Sequence, residues 1–464
     1  MSATTHLIES VNPATGDVLA RLDGPGGSAI ESKLTRAAAA QREWAWRPVG
    51  ERMAALSQVA TVLRAGRADF ARTITLEMGK PLAEALAEVD KCALNFDYYA
   101  ANAPGFLADE IVASSASDSR IVYDPIGIVL AVMPWNYPFW QVMRAAAPVL
   151  AGGNGMVLKH AANVPQCALA LEGVFRSAGL PEGLFTTLLV GSGAVAALIE
   201  DSRIAAVTFT GSTPVGRSIA ATAGRALKKQ VLELGGSDPF IVLADADVEA
   251  AAAAAVKARF HNTGQSCISA KRFIVEESVA GAFVEAFCAF AKKQVTGDPL
   301  DSASTMGSMA KGNLRDELHA QVVASVNEGA RLLMGGHAVA GPGAFYEATV
   351  LDHVTPAMTA GREETFGPAA AILRVASVDA AIAVANGTPF GLGAALWTTD
   401  LQRAALLARR IEAGAVFVNG IVASDPRLPF GGIKQSGYGR ELGALGLREF
   451  TNIKTVWTGP ARAT

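Results

Sequence analysis

Along residues 28 to 104 the apolar positions fall three and four apart, in "IESKLTRAAAAQREWAW" and again in "ERMAALSQVATVLRAGRADFARTITLEMG". That spacing gathers them on one face of a helix, so the region reads as helical. It follows a short opening, "SVNPATGDVLARL", that reads as strand and turn. Beyond residue 120 the pattern changes: "IVYDPIGIVLAVMP", "GNGMVLKH", "FTTLLVG" and "IAAVTFTGS" read as strands. "VPQCALALEGVFRSAG", "GAVAALIED" and "VGRSIAATAGRALKK", which fall among and after them, read as helices. Such alternation predicts a doubly wound parallel sheet.

A second alternating series starts near Gly235 with "DPFIVLA", "DVEAAAAAAVKARF", "RFIVEE" and "VAGAFVEAFCAFAKK", and continues through "AILRVA" and "GAVFVNG". This favours a second α/β domain over an extended first one. The alanine run from Ala250 to Ala255 fits a packed helix, because alanine has the highest helix propensity. The length of 464 residues agrees, since it exceeds what one hydrophobic core supports.

Composition narrows the class of function. Half the residues are hydrophobic and 46 are glycine, as in soluble α/β enzymes. The 40 basic and 43 acidic residues form no long single-sign run, so there is no electrostatic footprint for nucleic acid, and a small-molecule partner is expected. Cys92, Cys167, Cys267 and Cys288 are scattered, with no CxxC pair and no His/Cys cluster, which predicts free thiols and neither disulfides nor a metal site. The start, "MSATTHLIES", lacks a basic segment followed by an apolar one, so no leader is expected. The longest apolar stretch, "GIVLAVMPWNYPFWQVMRAAAPVL", is interrupted by Pro134, Asn136, Pro138 and Arg144 and would span a membrane poorly. The expectation is a cytoplasmic protein.

Chemistry concentrates in a few short segments. In "FHNTGQSCISAKRF" Cys267 fits either a buried, inert thiol or a nucleophile, and the residue alone does not decide between them. A serine hydrolase elbow is not present, since "GQSCI" ends in Ile268 where a glycine is needed. Glu233 in "QVLELGGSDPF" would face away from its leucine neighbours in a strand, and the two glycines after it permit close approach at the strand's end, where open α/β sheets hold ligands. Asn136 in "MPWNYPF" is either a turn residue or a rigidly held amide able to donate to an oxyanion. "VTFTGSTPVGRSI" runs from strand through Gly211, Ser212 and Gly216 into a helix, whose amides and positive end could face a pyrophosphate.

Taken in order, "PWNYP", "VLKHA", "FTGSTPVG", "LELGGSDP", "NTGQSC", "EETFGP" and "PFGGIKQSGYGRE" resemble the motif series of the aldehyde dehydrogenase superfamily over nearly the whole chain. The resemblance implies Cys267 as nucleophile, Glu233 as general base, and Asn136 with the Cys267 backbone N–H as oxyanion hole. It implies NAD or NADP as cofactor: Trp135 and Gly211 belong to the binding motifs, Lys159 touches the adenosine ribose, and Ser212 the pyrophosphate. Glu364 and Phe366 would meet the nicotinamide ribose and ring. The implied reaction is attack of the thiolate on an aldehyde, hydride transfer, and hydrolysis of the thioester by water activated at Glu233. Branches that pass the acyl group to coenzyme A typically lack that glutamate, so its presence favours a free acid as product.

Within the superfamily the chain is most similar to succinate-semialdehyde dehydrogenases, through "LKHA", "LELGGSDPFIVL" and "NGIVASDPRLPFGG". The resemblance makes Arg144, eight residues after Asn136, the anchor of the substrate's distal carboxylate, with Ser424 beside it. Three positions depart from the pattern. His261 stands where some relatives have a second arginine, and is a candidate substrate contact. Ser269 replaces a second cysteine, which removes a local redox pair. Ala162 stands where NAD-preferring relatives often have a glutamate, which leaves both cofactors open, and His160 beside it would favour a phosphate if protonated. Oxidation of another carboxylated or aliphatic aldehyde, such as glutarate semialdehyde, is the alternative, and a coenzyme A-acylating enzyme a further one. The implied fold has a cofactor domain at 1–106 and 127–234, a catalytic domain at 235–440, and an oligomerisation flap at 107–126 and 441–464, with a homodimer or homotetramer expected.

Overall fold

The structure, a computed structural model, describes residues 7–459. The segment before Leu7, read above for a leader, and the last residues of the expected flap lie outside the described residues. The opening strand and turn is a hairpin of Leu7–Val11 and Val18–Asp23. The helical region is four helices, Gly27–Ala45, Val49–Ala65, Arg67–Met78 and Leu82–Phe106, broken at Pro48, Gly66 and Pro81. Their apolar stripes close over one core that includes Trp44, Leu56, Ile74 and Phe96, all fully buried.

A six-stranded sheet runs in the order Gly437–Tyr438, Lys229–Glu233, Ile204–Thr210, Ile128–Met133, Gly155–His160, Phe185–Thr187. All neighbours in it are parallel except Gly437–Tyr438, which pairs antiparallel with Lys229–Glu233. The seven-stranded sheet runs Arg331–Met334, Thr349–Asp352, Ala369–Val375, Ala270–Glu276, Asp238–Val242, Gly393–Trp397, Ala415–Val418, parallel but for its first strand. The two doubly wound sheets predicted from alternation are therefore both present. A third, antiparallel sheet joins Thr451–Thr458, Asp118–Pro125 and Glu110–Ile111.

Two local readings need correction. "IVYDPIGIVLAVMP" is not one strand: Asp118–Pro125 belongs to the three-stranded sheet, and the chain turns at Ile126–Gly127 before Ile128–Met133 enters the six-stranded one. The apolar stretch after it contains the helix Trp140–Ala151, which periodicity did not reveal because all of its residues are buried and no polar face exists to set a period.

The sheets meet where the chemistry-bearing segments lie. Glu233, Gly211 and His160 sit at the carboxyl ends of parallel strands in the first sheet, and Cys267 lies just before Ala270–Glu276 of the second. Among the described residues no helix is long and apolar enough to cross a membrane, and no group of three or more His, Cys, Asp or Glu side chains is placed to hold a metal ion.

Candidate active site

Cys267 is held by a strained turn. Asn262, Thr263 and Gly264 take φ values of 56, 53 and 70°, three left-handed residues in succession. Thr263 is β-branched and rarely adopts this region, and such strain, of order 1–3 kcal/mol per residue, persists only where surroundings impose it. Arg259, fully buried, imposes it by donating to the carbonyls of Gly264 (2.9 Å), Ala270 (3.0 Å), Thr365 (3.2 Å) and Gly367. The Asn262 amide donates to the carbonyls of Asn136 and Gln265, each at 3.0 Å. Lys271 Nζ donates to the Ser266 carbonyl at 3.0 Å and the Cys267 carbonyl at 2.7 Å. Burial pushes the Cys267 thiol up to about 12, with Arg144 and Lys271 pulling it back and Glu233 and Asp238 adding to the rise. The resting side chain is a thiol.

Asn136 reaches the same loop from the other sheet. Its Nδ2 donates to the Gln265 carbonyl at 3.0 Å, and the residue is buried. A buried ion pair fixes the turn that carries it: Glu88 accepts the amides of Phe139 and Trp140, both at 2.9 Å, and takes Lys80 at 2.5 Å. The Lys80 ammonium lies 3.9 Å from the Tyr137 ring centroid, a cation–π contact next to Asn136.

Glu233 ends its strand buried, and neither carboxylate oxygen has a hydrogen-bond partner. Burial raises its pKa well above the ordinary carboxylate range; Glu441 raises it further, while Arg144 and Arg440 oppose the rise. A carboxylate tuned upward is a better proton acceptor near neutral pH. The glycines after it serve close approach: a Cβ on Gly235 would stand 2.4 Å from Glu364 Oε2, and one on Gly236 2.7 Å from the Cys267 carbonyl. Nothing larger lets Glu364 and the nucleophile's loop close against this strand end.

On the other side of the strand ends, Ser212 is the N-cap residue of the Thr213–Arg225 helix, and its side chain makes no capping bond, so the hydroxyl is unused by the fold. The Gly211 amide donates to the Glu233 carbonyl at 3.0 Å. Gly216, read from sequence with a phosphate turn, has a packing role: a Cβ there would stand 2.3 Å from Leu234 Cδ2. Burial and nearby Lys311 both lower the Lys159 pKa, and burial lowers that of Lys311. A cavity of about 540 Å³ at Lys311 is lined by Ala162, Asn163, Arg315 and Glu9, among others. Both polar atoms of the Asn163 amide are buried without a partner. These unused groups fit a dinucleotide. His160 does not join them: its ring nitrogens face the carbonyls of Pro138 (2.8 Å) and Met133 (3.2 Å), and burial lowers its pKa to about 4, so it stays neutral and cannot meet a phosphate as a cation. Glu364 accepts the Gly236 amide at 3.0 Å, and Phe366 meets Trp135 edge-on at 5.9 Å.

A cavity of about 220 Å³ opens on the nucleophile and is lined by Cys267, Arg144, Lys91, Trp140, His261 and Ser424, among others. Arg144 is buried, its guanidinium 4.7 Å from the Phe430 ring centroid and its Nε 2.5 Å from Glu441 Oε2. Nη2 is buried with no hydrogen-bond partner. His261 is turned toward Glu84, Nδ1 to Oε1 at 3.0 Å, so a carboxylate already occupies its side of the mouth. Ser424 Oγ accepts from Lys91 Nζ at 2.7 Å. Sequence reasoning missed Lys91, Lys271 and Glu441. The last closes the quoted "GYGRE" segment, while the contact of Lys91 with Ser424 spans 333 residues and leaves no local signal.

Two doubly wound sheets with a cysteine at their junction, an amide donor across from it and a buried carboxylate at a strand end define an α/β enzyme built around a thiol. The chain belongs to the aldehyde dehydrogenase family, whose sequence pattern matches residues 1–456. It is 50% identical over 457 residues to the succinate semialdehyde dehydrogenase [NAD(P)+] of Escherichia coli strain K12, covering 98% of this chain and 99% of the relative. It is 47% identical over 460 residues to the succinate-semialdehyde dehydrogenase [NADP(+)] of Mycolicibacterium paratuberculosis, covering 98% of each. Among solved structures, the succinic semialdehyde dehydrogenase of Streptococcus pyogenes in complex with NADP+ superposes with a TM-score of 0.95 at 37% identity, over 98% of this chain and all of that one.

Proposed function

We propose that the protein oxidises succinate semialdehyde to succinate with NAD or NADP as the hydride acceptor. The observation that carries this reading is Arg144 Nη2, buried without a hydrogen-bond partner in a residue that lines the cavity of Cys267. A carboxylate at one end of a short aldehyde can take that donor while Cys267 attacks the carbonyl at the other end. The relatives named above carry the same activity in their names, which supports the choice over glutarate semialdehyde.

In this reading the Cys267 thiol gives its proton to solvent and its sulfur bonds to the aldehyde carbon. The oxygen becomes an oxyanion that meets the Asn136 amide and the Cys267 N–H, donors of a kind worth roughly 2.7–4 kcal/mol each. A nicotinamide held near Glu364 and Phe366 would supply the hydride acceptor, which leaves a thioester on Cys267. Glu233 then takes a proton from water as it adds to the thioester, and the carbon–sulfur bond breaks to release the acid, the proton on Glu233 passing to the leaving sulfur to restore the thiol. Lys159 and Ser212 would hold the dinucleotide's ribose and pyrophosphate, and Trp135, Gly211, Glu364 and Phe366 its neighbouring surfaces. Ala162 places no carboxylate beside Lys159 and Lys311, which supports acceptance of NADP.

The division into a cofactor domain, a catalytic domain and a flap follows the same reading. Exposed Ile111, Ile453, Val456 and Trp457 on the three-stranded sheet support a flap that meets a second copy in a homodimer or homotetramer. The free thiols support a cytoplasmic setting. The test is a panel of succinate semialdehyde, glutarate semialdehyde and butanal with each cofactor and without coenzyme A. Reduced cofactor should form fastest with succinate semialdehyde. No reduction until coenzyme A is added would favour acyl transfer, and an equal rate on butanal would remove the carboxylated substrate.

A further inference from the structure

Apart from the exposed Lys257, the charges around the substrate cavity pair off with one exception among the described residues. Glu88 is taken by Lys80 and two backbone amides, Glu84 faces His261, and Arg144 is matched by Glu441. Asp425, next in sequence to the cavity-lining Ser424, is held by Arg427 at 2.6 Å. Among the described residues no carboxylate lies within ion-pair distance of Lys91, whose Nζ donates to Ser424 and sits 4.3 Å from the Trp140 ring centroid. A half-buried ammonium kept by a hydroxyl and an aromatic face, on the wall of the cavity that holds Cys267, is a cation short of an anion. Arg144 supplies hydrogen bonds there, but its charge is already compensated.

We propose that Lys91 selects carboxylated aldehydes, its ammonium meeting the distal carboxylate of the substrate with Ser424 and Arg144 beside it. The inference rests on the proposed function, and deepens it by assigning net charge recognition to a residue outside the motif series. Burial, with Arg144 nearby, lowers the Lys91 pKa to about 8. The other groups facing it are Glu88 and Cys92 from its own helix, Arg144 from Trp140–Ala151, and Asp425 from the loop before Phe430; His261 and the exposed Lys257 line the same cavity. The lysine is charged below its pKa and neutral above it, so preference for a charged substrate should weaken as pH rises through about 8.

The experiment measures kcat/KM for succinate semialdehyde and for butanal, and takes their ratio so that titration of Cys267 and Glu233 cancels. In the native enzyme the ratio should exceed one and fall between about pH 7 and pH 9. Lys91→Met should lower it about tenfold to a hundredfold at pH 7. Lys91→Arg should retain most of the ratio and hold it level across that pH range, because arginine stays charged. A Lys91→Met enzyme with the native ratio, or a native ratio that does not move with pH, overturns the assignment while the proposed function stands. A native enzyme with no preference for the charged aldehyde removes the proposed function and the assignment with it.

Discussion

Arg144→Leu separates two jobs that the structure gives to one side chain. The substitution removes the proposed carboxylate contact, and it also strands Glu441, whose side chain is 3% exposed. Breaking a buried ion pair by deleting one partner costs about 3–5 kcal/mol. With about 2.1 cal/mol/K of unfolding entropy per residue across 464 residues, each kcal/mol lowers Tm by about 1 °C if the chain unfolds as a unit, so a fall of about 3–5 °C is expected. The loss depends on pH in a definite direction. Burial already raises the Glu441 pKa, and removing Arg144, which opposes that rise, raises it further. A carboxyl group with a raised folded-state pKa contributes stability that is present below its unfolded value, about 4.3, and is lost as pH rises through the folded value. The variant should therefore lie closer to the native protein at about pH 5.5 than at about pH 8 in scanning calorimetry. The double variant Arg144→Leu with Glu441→Leu should regain most of the Tm, since an apolar pair replaces a buried ion pair at little cost. A native Tm for the single variant at the higher pH, a larger deficit at the lower pH, or a double variant no better than the single one would refute the pairing. Arg144 also holds the Glu233 pKa down, so the acid limb of butanal oxidation should move to higher pH in the single variant.

Two further outcomes follow from the site. Because burial holds the Cys267 thiol near 12, its alkylation by iodoacetamide in the absence of substrate should rise about tenfold per pH unit without levelling off below about pH 9; a plateau near pH 7 on the labelled peptide would mean a thiolate at rest. Ala162→Glu should move the ratio of kcat/KM values toward NAD, by setting a carboxylate beside the Lys159 and Lys311 cations; an unmoved ratio would place the ribose edge elsewhere.

The sequence made the two sheets legible because their strands and helices alternate with clear periods, and "IAAVTFTGS" and "DVEAAAAAAVKARF" became Ile204–Thr210 and Val248–Phe260. The helix Trp140–Ala151 was hidden because a segment buried on all sides has no polar face to reveal its period. For the candidate site, the motif series pointed to Cys267, Glu233 and Asn136, and the structure brings their segments together through Gln265, Asn262 and the paired glycines. What could not be read was pairing across the chain. Arg144, read as a carboxylate anchor, also has Glu441 standing against it, and Lys91, which no motif marked, is placed in the cavity wall by Ser424 and Trp140. His160 failed as a phosphate ligand for the same reason, since its carbonyl partners lie 22 and 27 residues away.

The division of labour between Cys267 and Glu233 is tested most directly by mixing Glu233→Gln rapidly with succinate semialdehyde and cofactor and following both reduced cofactor and the mass of the Cys267 peptide. The expected result is a burst of about one reduced cofactor per active site, a slow phase after it, and a succinyl group on Cys267 that persists through the slow phase. Native steady-state turnover with no acyl group on Cys267 would contradict it.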